Sequence, residues 1–126
     1  MSLLTLSPIS LVAGGGTPTG LTAALAASPL GSNTGVLFQN TGHEVVVVQT
    51  NATSGGTTVS SDIGTTVQGQ TVPPVSGGTQ APSTIEIYGP FPSQYDKQDG
   101  TNDIEMDFGT PANVTGVVVL KIPGVI

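Results

Sequence analysis

The residues best suited to chemistry are crowded into one stretch. Residues 85–108 hold six of the chain's eight acids and four of its five aromatics. Asp96, Asp99, Asp103, Glu105 and Asp107 form an acidic run of the kind that can hold calcium, an ion that takes about six to eight oxygen ligands. The spacing is not that of an EF-hand, because counting back from Gly100 puts Tyr95 and Lys97 at ligand positions. On an alternating strand, Asp103, Glu105 and Asp107 are expected to face solvent, where like charges protect a sheet edge from aggregation. The lone histidine, His43, lies in a turn, Thr41-Gly42-His43-Glu44. A Ser-His-Asp site would need it, yet there is no G-x-S-x-G elbow, and one imidazole alone makes no metal site. Asp62-Ile63-Gly64 and Asp99-Gly100-Thr101 each fall short of the Asp-Thr-Gly of aspartic proteases. Gly15-x4-Gly20 followed by Leu21-Thr22 imitates a phosphate loop but has Leu21 where the phosphate-binding lysine belongs, so a hinge is the better reading. No enzyme activity, cofactor or metal is expected.

The aromatics are the other candidates. Tyr88, Phe91 and Tyr95 surround Pro90 and Pro92. Such a cluster can be a sugar platform, a protein contact or a corner packed on the core. Tryptophan, the preferred sugar-stacking residue, is absent. Core packing is the expectation for Phe91, while Tyr88 and Tyr95 fit a partner contact and ordinary surface equally well.

Charge removes whole classes of partner. The net charge is −6, with Lys97 and Lys121 the only basic side chains. Nucleic-acid binding needs several Lys or Arg to displace counterions, and attraction to anionic membranes needs them too, so neither partner is expected. No apolar run approaches the ~20 residues of a membrane span. The first residues lack the basic start of a secretory signal. Without cysteine there is no disulfide, zinc–thiolate site or thiol nucleophile. Charged residues make up 8% of the chain, so its surface must be wetted by hydroxyls and amides.

The elements that would position these groups are mostly strands. Eighteen glycines and ten prolines, with abundant Val and Thr, favour short strands joined by turns. Residues 1–34 read as an N-terminal arm, extended, with a possible short helical turn at 21–27; its apolar residues Leu3, Leu4, Leu6, Ile9, Leu11, Leu21 and Leu25 must lie on something, either the same domain or a neighbour. Residues 35–126 read as the β domain. Strands are expected at 36–40, 44–50, 57–63, 65–72, 84–88, 103–108 and 114–122, with 72–83 a loop. EVVVVQT (Glu44–Thr50) and the closing Val-rich strand are apolar on both faces and so should be central. In 84–88, Ile85 and Ile87 share one face and Glu86 and Tyr88 the other; in 103–108, Ile104, Met106 and Phe108 point inward. About seven closely spaced strands imply an all-β, single-domain antiparallel β-sandwich or small barrel.

An arm of Leu, Thr, Pro and Gly leads to Phe38-Gln39-Asn40-Thr41-Gly42. Then come a Val-rich strand, Tyr88-Gly89-Pro90-Phe91-Pro92, Tyr95, Asp99-Gly100 and a closing strand ending Ile122-Pro123. This series resembles the small capsid decoration (cement or head-stabilising) proteins of tailed bacteriophages. The resemblance covers roughly residues 33–123. It implies a non-enzymatic virion protein on the outer capsid surface, bound to the major capsid protein and stabilising contacts between its subunits. It also implies a homo-oligomer, with a trimer favoured over a dimer. Leu3, Leu4, Leu6, Ile9, Leu11, Leu21 and Leu25 of the arm, with Tyr88, Phe91 and Tyr95, are the expected capsid or oligomer contacts. On this reading, removing residues 2–30 should leave a folded domain that no longer binds capsids. The rival readings are a glycan-binding or adhesin module using Tyr88 and Tyr95, and another virion protein of the tail or neck.

Overall fold

A computed structural model describes residues 3–10, 20–27, 29–50, 56–62, 66–67, 70–71, 75–97 and 101–122. In chain order these form β1 (Leu3–Thr5), β2 (Ile9–Ser10), α1 (Leu21–Ala26), β3 (Gly35–Gln39), β4 (Glu44–Thr50), β5 (Thr57–Ser61), β6 (Thr66–Val67), β7 (Gln70–Thr71), β8 (Val75–Gln80), β9 (Ile85–Tyr88), β10 (Asp103–Phe108) and β11 (Val114–Lys121). Nine strands make two sheets in a sandwich-like arrangement, ordered β1-β3-β10-β5-β8 and β2-β11-β4-β9, while β6 and β7 pair by themselves. The expected antiparallel sandwich or small barrel needs correcting in one respect. Two pairings are parallel, β1 with β3 and β2 with β11. Both are made by the N-terminal arm.

The valine strands are central, as their two-faced apolarity requires. β4 lies between β11 and β9, with Val47 opposite Val118. Val46, Val48, Val117 and Val119 point into the space between the sheets, where they meet Phe38, Ile104, Met106 and Phe108. Val47 and Val118 point the other way and would be bare without a second cover. That cover is α1, whose Leu25 is fully buried against both valines, with Leu21, Ala24 and Leu120 around them. A six-residue helix is not stable by itself, so this packing is what holds it. Its close approach depends on Gly116, where a Cβ would lie 2.5 Å from the Leu25 carbonyl oxygen.

The arm is woven into the sandwich. β1 and β2 are edge strands of different sheets, and Leu25 and Leu30 are 0% and 1% exposed. The described part of residues 1–34 therefore completes both sheets and part of the core. Residues 2–30 cannot be removed without exposing that core, contrary to the expected tolerance of the deletion. The stretch 72–83, expected as a loop, contains β8, which pairs with β5. Its Gly77 is unpaired at a bulge between Val59 and Ser60, and Gly78 sits at φ +89°. A glycine pair placed there to make a bulge reads, in sequence, like a loop. Of the strand expected at 65–72, only the two-residue strands β6 and β7 lie among the described residues.

Candidate functional site

Three regions hold the groups singled out above. The first is the outer face of the four-stranded sheet. Residues opposite one another across a ladder share a face, so Ile9, Leu120, Val45, Val118, Val47, Ile87 and Ile85 all lie on this side. Ile122 continues the alternation of Val118 and Leu120 and is fixed by its N–H donating to the His43 carbonyl. The helix covers the middle of this face and leaves the flanks bare. Ile85 and Ile87 are 48% and 65% exposed on the free edge strand β9, and Ile9 and Ile122 are exposed on the opposite flank. Among the described residues these four are the exposed large apolar side chains, and they share one face.

The second region is a cleft of about 340 Å³ where the sandwich opens between β8 and the proline corner. Tyr88, Phe91 and Tyr95 wall it, Val59 and Met106 form apolar lining, and Ser61, Ser76 and Gln94 supply polar groups. The walls are held from behind. The Tyr88 hydroxyl donates to Gln80 Oε1 at 2.9 Å, and Gln80 Nε2 in turn donates to the Val48 carbonyl. Burial, aided by the nearby Glu86 charge, pushes the Tyr88 phenol up, so it stays neutral. Phe91 stacks at a tilt on Phe38 at 5.9 Å and meets Tyr95 edge-on at 6.3 Å. Asn40 Nδ2 donates both to the Phe91 carbonyl and to Asp96 Oδ1, tying the proline corner to the β3–β4 turn. In that turn Glu44 is buried. Desolvation would raise its carboxyl, but Thr41 donates its N–H and hydroxyl to it and His43 its N–H, and together they bring it below the usual range. Within the corner itself the Gly89–Pro90 peptide is cis.

The third region is the outer face of the five-stranded sheet. Asp62, Glu105 and Asp107 each bring a carboxylate oxygen within 4.8 Å of the others. Glu105 pairs with Lys97. The Asp107 Oδ1 is buried against Gly35, where a Cβ would approach it to 2.5 Å, and has no hydrogen-bond partner among the described residues. Burial, a hydrogen bond shared with Glu105, and the charges of Glu105 and Asp62 push Asp107 up to about 7, against a smaller opposing pull from Lys97. The arrangement can share a proton between Asp107 and Glu105. One cation could also bridge three oxygens so close together, but the Lys97 ammonium already supplies positive charge at Glu105.

The expected solvent exposure of this strand face is thus corrected. Glu105 is 4% exposed because β10 is flanked on both sides by β3 and β5 and Lys97 pairs with its carboxylate. The acidic run also divides: buried Asp96 belongs to the proline corner, and Asp99 lies outside the described residues. Of the expected contact residues, Leu4 and Leu6 are packed against the main core, Leu21 is half-buried beside Leu25, and Leu25 has no surface to offer a partner. Leu3 is half-buried beside Gly35, Ile9 is exposed, and Leu11 lies outside the described residues. Phe91 is buried, and Tyr88 and Tyr95 are half-buried walls of the cleft. Sequence reasoning passed over Ser61, Gln80 and Gln94. For Ser61 the one available signal is its two-residue spacing from Thr57 and Val59, which puts it on their inward face. No known family model, curated protein or solved structure matches this chain.

Proposed function

We propose that this chain is a structural capsid decoration protein, bound to the outer surface of a phage head and stabilising contacts between major capsid subunits. The observation that supports it best is the gathering of Ile9, Ile85, Ile87 and Ile122 on one face, on either side of a helix-covered centre. A monomer with so few charges gains nothing from keeping bare isoleucines together, whereas a protein that lies on a large flat partner does. Burial is worth about 25 cal/mol per Å² of apolar area, so each copy contributes modestly and a lattice of copies, or an oligomer bridging several subunits, multiplies the hold. The low charge adds to this reading. Charged side chains are few, so close packing of copies desolvates few of them, and three of the acids are drawn together in the Asp62–Glu105–Asp107 cluster.

On this reading the grip lies on this face, to which the arm contributes Ile9. The glycan-binding reading gains less support. Tyr88 and Tyr95 are walls of a cleft, and the Tyr88 hydroxyl is engaged by Gln80, so neither forms a flat exposed platform. The test uses undecorated heads of the phage that encodes the protein. Wild-type protein should co-sediment with them to saturation, and the double variant Ile85→Lys/Ile87→Lys should bind at least roughly tenfold more weakly while keeping its circular dichroism. Undiminished binding by the double variant would move the contact elsewhere. A wild-type protein that ignores the heads would end the capsid reading.

A further inference from the structure

The capsid reading leaves the aromatic cleft unused. Its interior holds a hydroxyl that no described residue engages. Ser61 is 8% exposed, alternates with inward-facing Thr57 and Val59, and sits opposite Met106 across the ladder. It lines the cleft, and among the described residues its hydroxyl makes no hydrogen bond. The hydroxyl opens onto the cleft, where only solvent can meet it, and a ligand group that replaces that water gains a hydrogen bond inside an otherwise apolar pocket. None of the residues lining the cleft is charged.

We propose that this cleft binds an uncharged aromatic ring carrying one hydrogen-bonding group, the chemistry of a phenol, with its hydroxyl on Ser61 and its ring among Tyr88, Phe91 and Tyr95. The volume, about 340 Å³, admits a ring of this size and falls at the lower end of the range typical of ligand sites. Tyr95 already meets Phe91 edge-on, so an incoming ring extends an existing aromatic cluster. A sugar fits less well, since most of its hydroxyls would be buried against Val59, Met106 and the aromatic rings without partners. An anion fits worse, because a chain of net charge −6 offers it no cation here. Gln80 acts through Tyr88 as a positioning residue, keeping the phenol turned away from the space the ligand takes.

The test follows amide and aromatic NMR shifts of the full chain during titration with p-cresol, toluene and a blocked Ser-Tyr-Ser tripeptide. Saturable shifts at residues 59–61, 88–95 and 106 are expected with p-cresol. Ser61→Ala should weaken p-cresol by roughly fivefold, the scale of one neutral hydrogen bond, and leave toluene unchanged. Gln94→Trp, at an exposed position on the wall, should block both ligands without disturbing the core. Tripeptide binding at least as tight as p-cresol assigns the ring to a tyrosine side chain of a partner, and p-cresol alone assigns it to a free small molecule. The proposal fails if p-cresol gives no saturable shift, if the shifts map elsewhere, or if Ser61→Ala weakens both ligands equally. Each result is independent of whether the protein binds heads.

Discussion

The two outer faces of the sandwich solve the same problem by opposite means. Each has a central strand whose outward side must be covered: β4 and β11 in one sheet, β10 in the other. On the four-stranded side the covering is apolar and borrowed from the arm, with Leu25 closing over Val47 and Val118. On the five-stranded side the outward residues include carboxylates, and the covering is electrostatic, with Lys97 on Glu105 and burial among acids holding the Asp107 carboxyl up to about 7. The apolar cover is indifferent to pH and costly to trim. The acidic cover is built on protonation and responds to it.

The largest effect should come from trimming the apolar cover. Leu25→Ala should cost about 3 kcal/mol, because a fully buried leucine leaves a cavity that a short helix cannot collapse to fill. Urea unfolding measures this, and a loss below ~1 kcal/mol would show that α1 is a loose appendage. The acidic face should give a smaller, pH-dependent effect. The Asp107 carboxyl titrates near 7 when folded against 3.8 when free, so between these values the folded chain holds more protons than the unfolded one. Its contribution is complete below about pH 4 and is lost as the pH rises through about 7, so stability falls over that window. Melting temperatures from pH 4 to 8 should show the decline, and Asp107→Asn should flatten it. Retention of the full slope after that substitution would assign the titration to another group. The smallest effect belongs to the bare flank. Ile87→Thr should change stability by no more than ~0.5 kcal/mol, since the side chain is 65% exposed. A loss above ~1.5 kcal/mol would mean that the flank is part of the fold and not a surface kept for a partner.

Sequence legibility divides along the same line. Glu44–Thr50 was readable to its ends because consecutive valines admit no exposed face, and Asp103–Phe108 because its apolar residues alternate. Alternation does not say what covers the polar side, so the burial of Glu105 was invisible: it depends on Lys97, which arrives from a separate turn. In Ile85–Tyr88 the two faces were separable, but the isoleucines face outward and the tyrosine inward, the reverse of what hydrophobicity alone favours. β1 and β2 left no pattern at all, because two or three residues in parallel pairing are too few to show a period. The cleft was half legible. Its aromatics stood out, while Ser61 and Gln80 matter only through distant partners across the fold.

The way the arm divides between the sheets also sets an order of events during synthesis. β2 is made more than a hundred residues before β11, with which it pairs, and β4 must wait for the same strand. The four-stranded sheet therefore has only its β4–β9 pair while the chain is still emerging, and α1 has only Val47 to cover until Val118 is present. Contacts this remote in sequence slow folding and favour assembly in one late step. On the ribosome the valine strand Glu44–Thr50 has only β9 beside it until residues 114–121 have left the exit tunnel, so chaperone capture of nascent chains should peak just before that point.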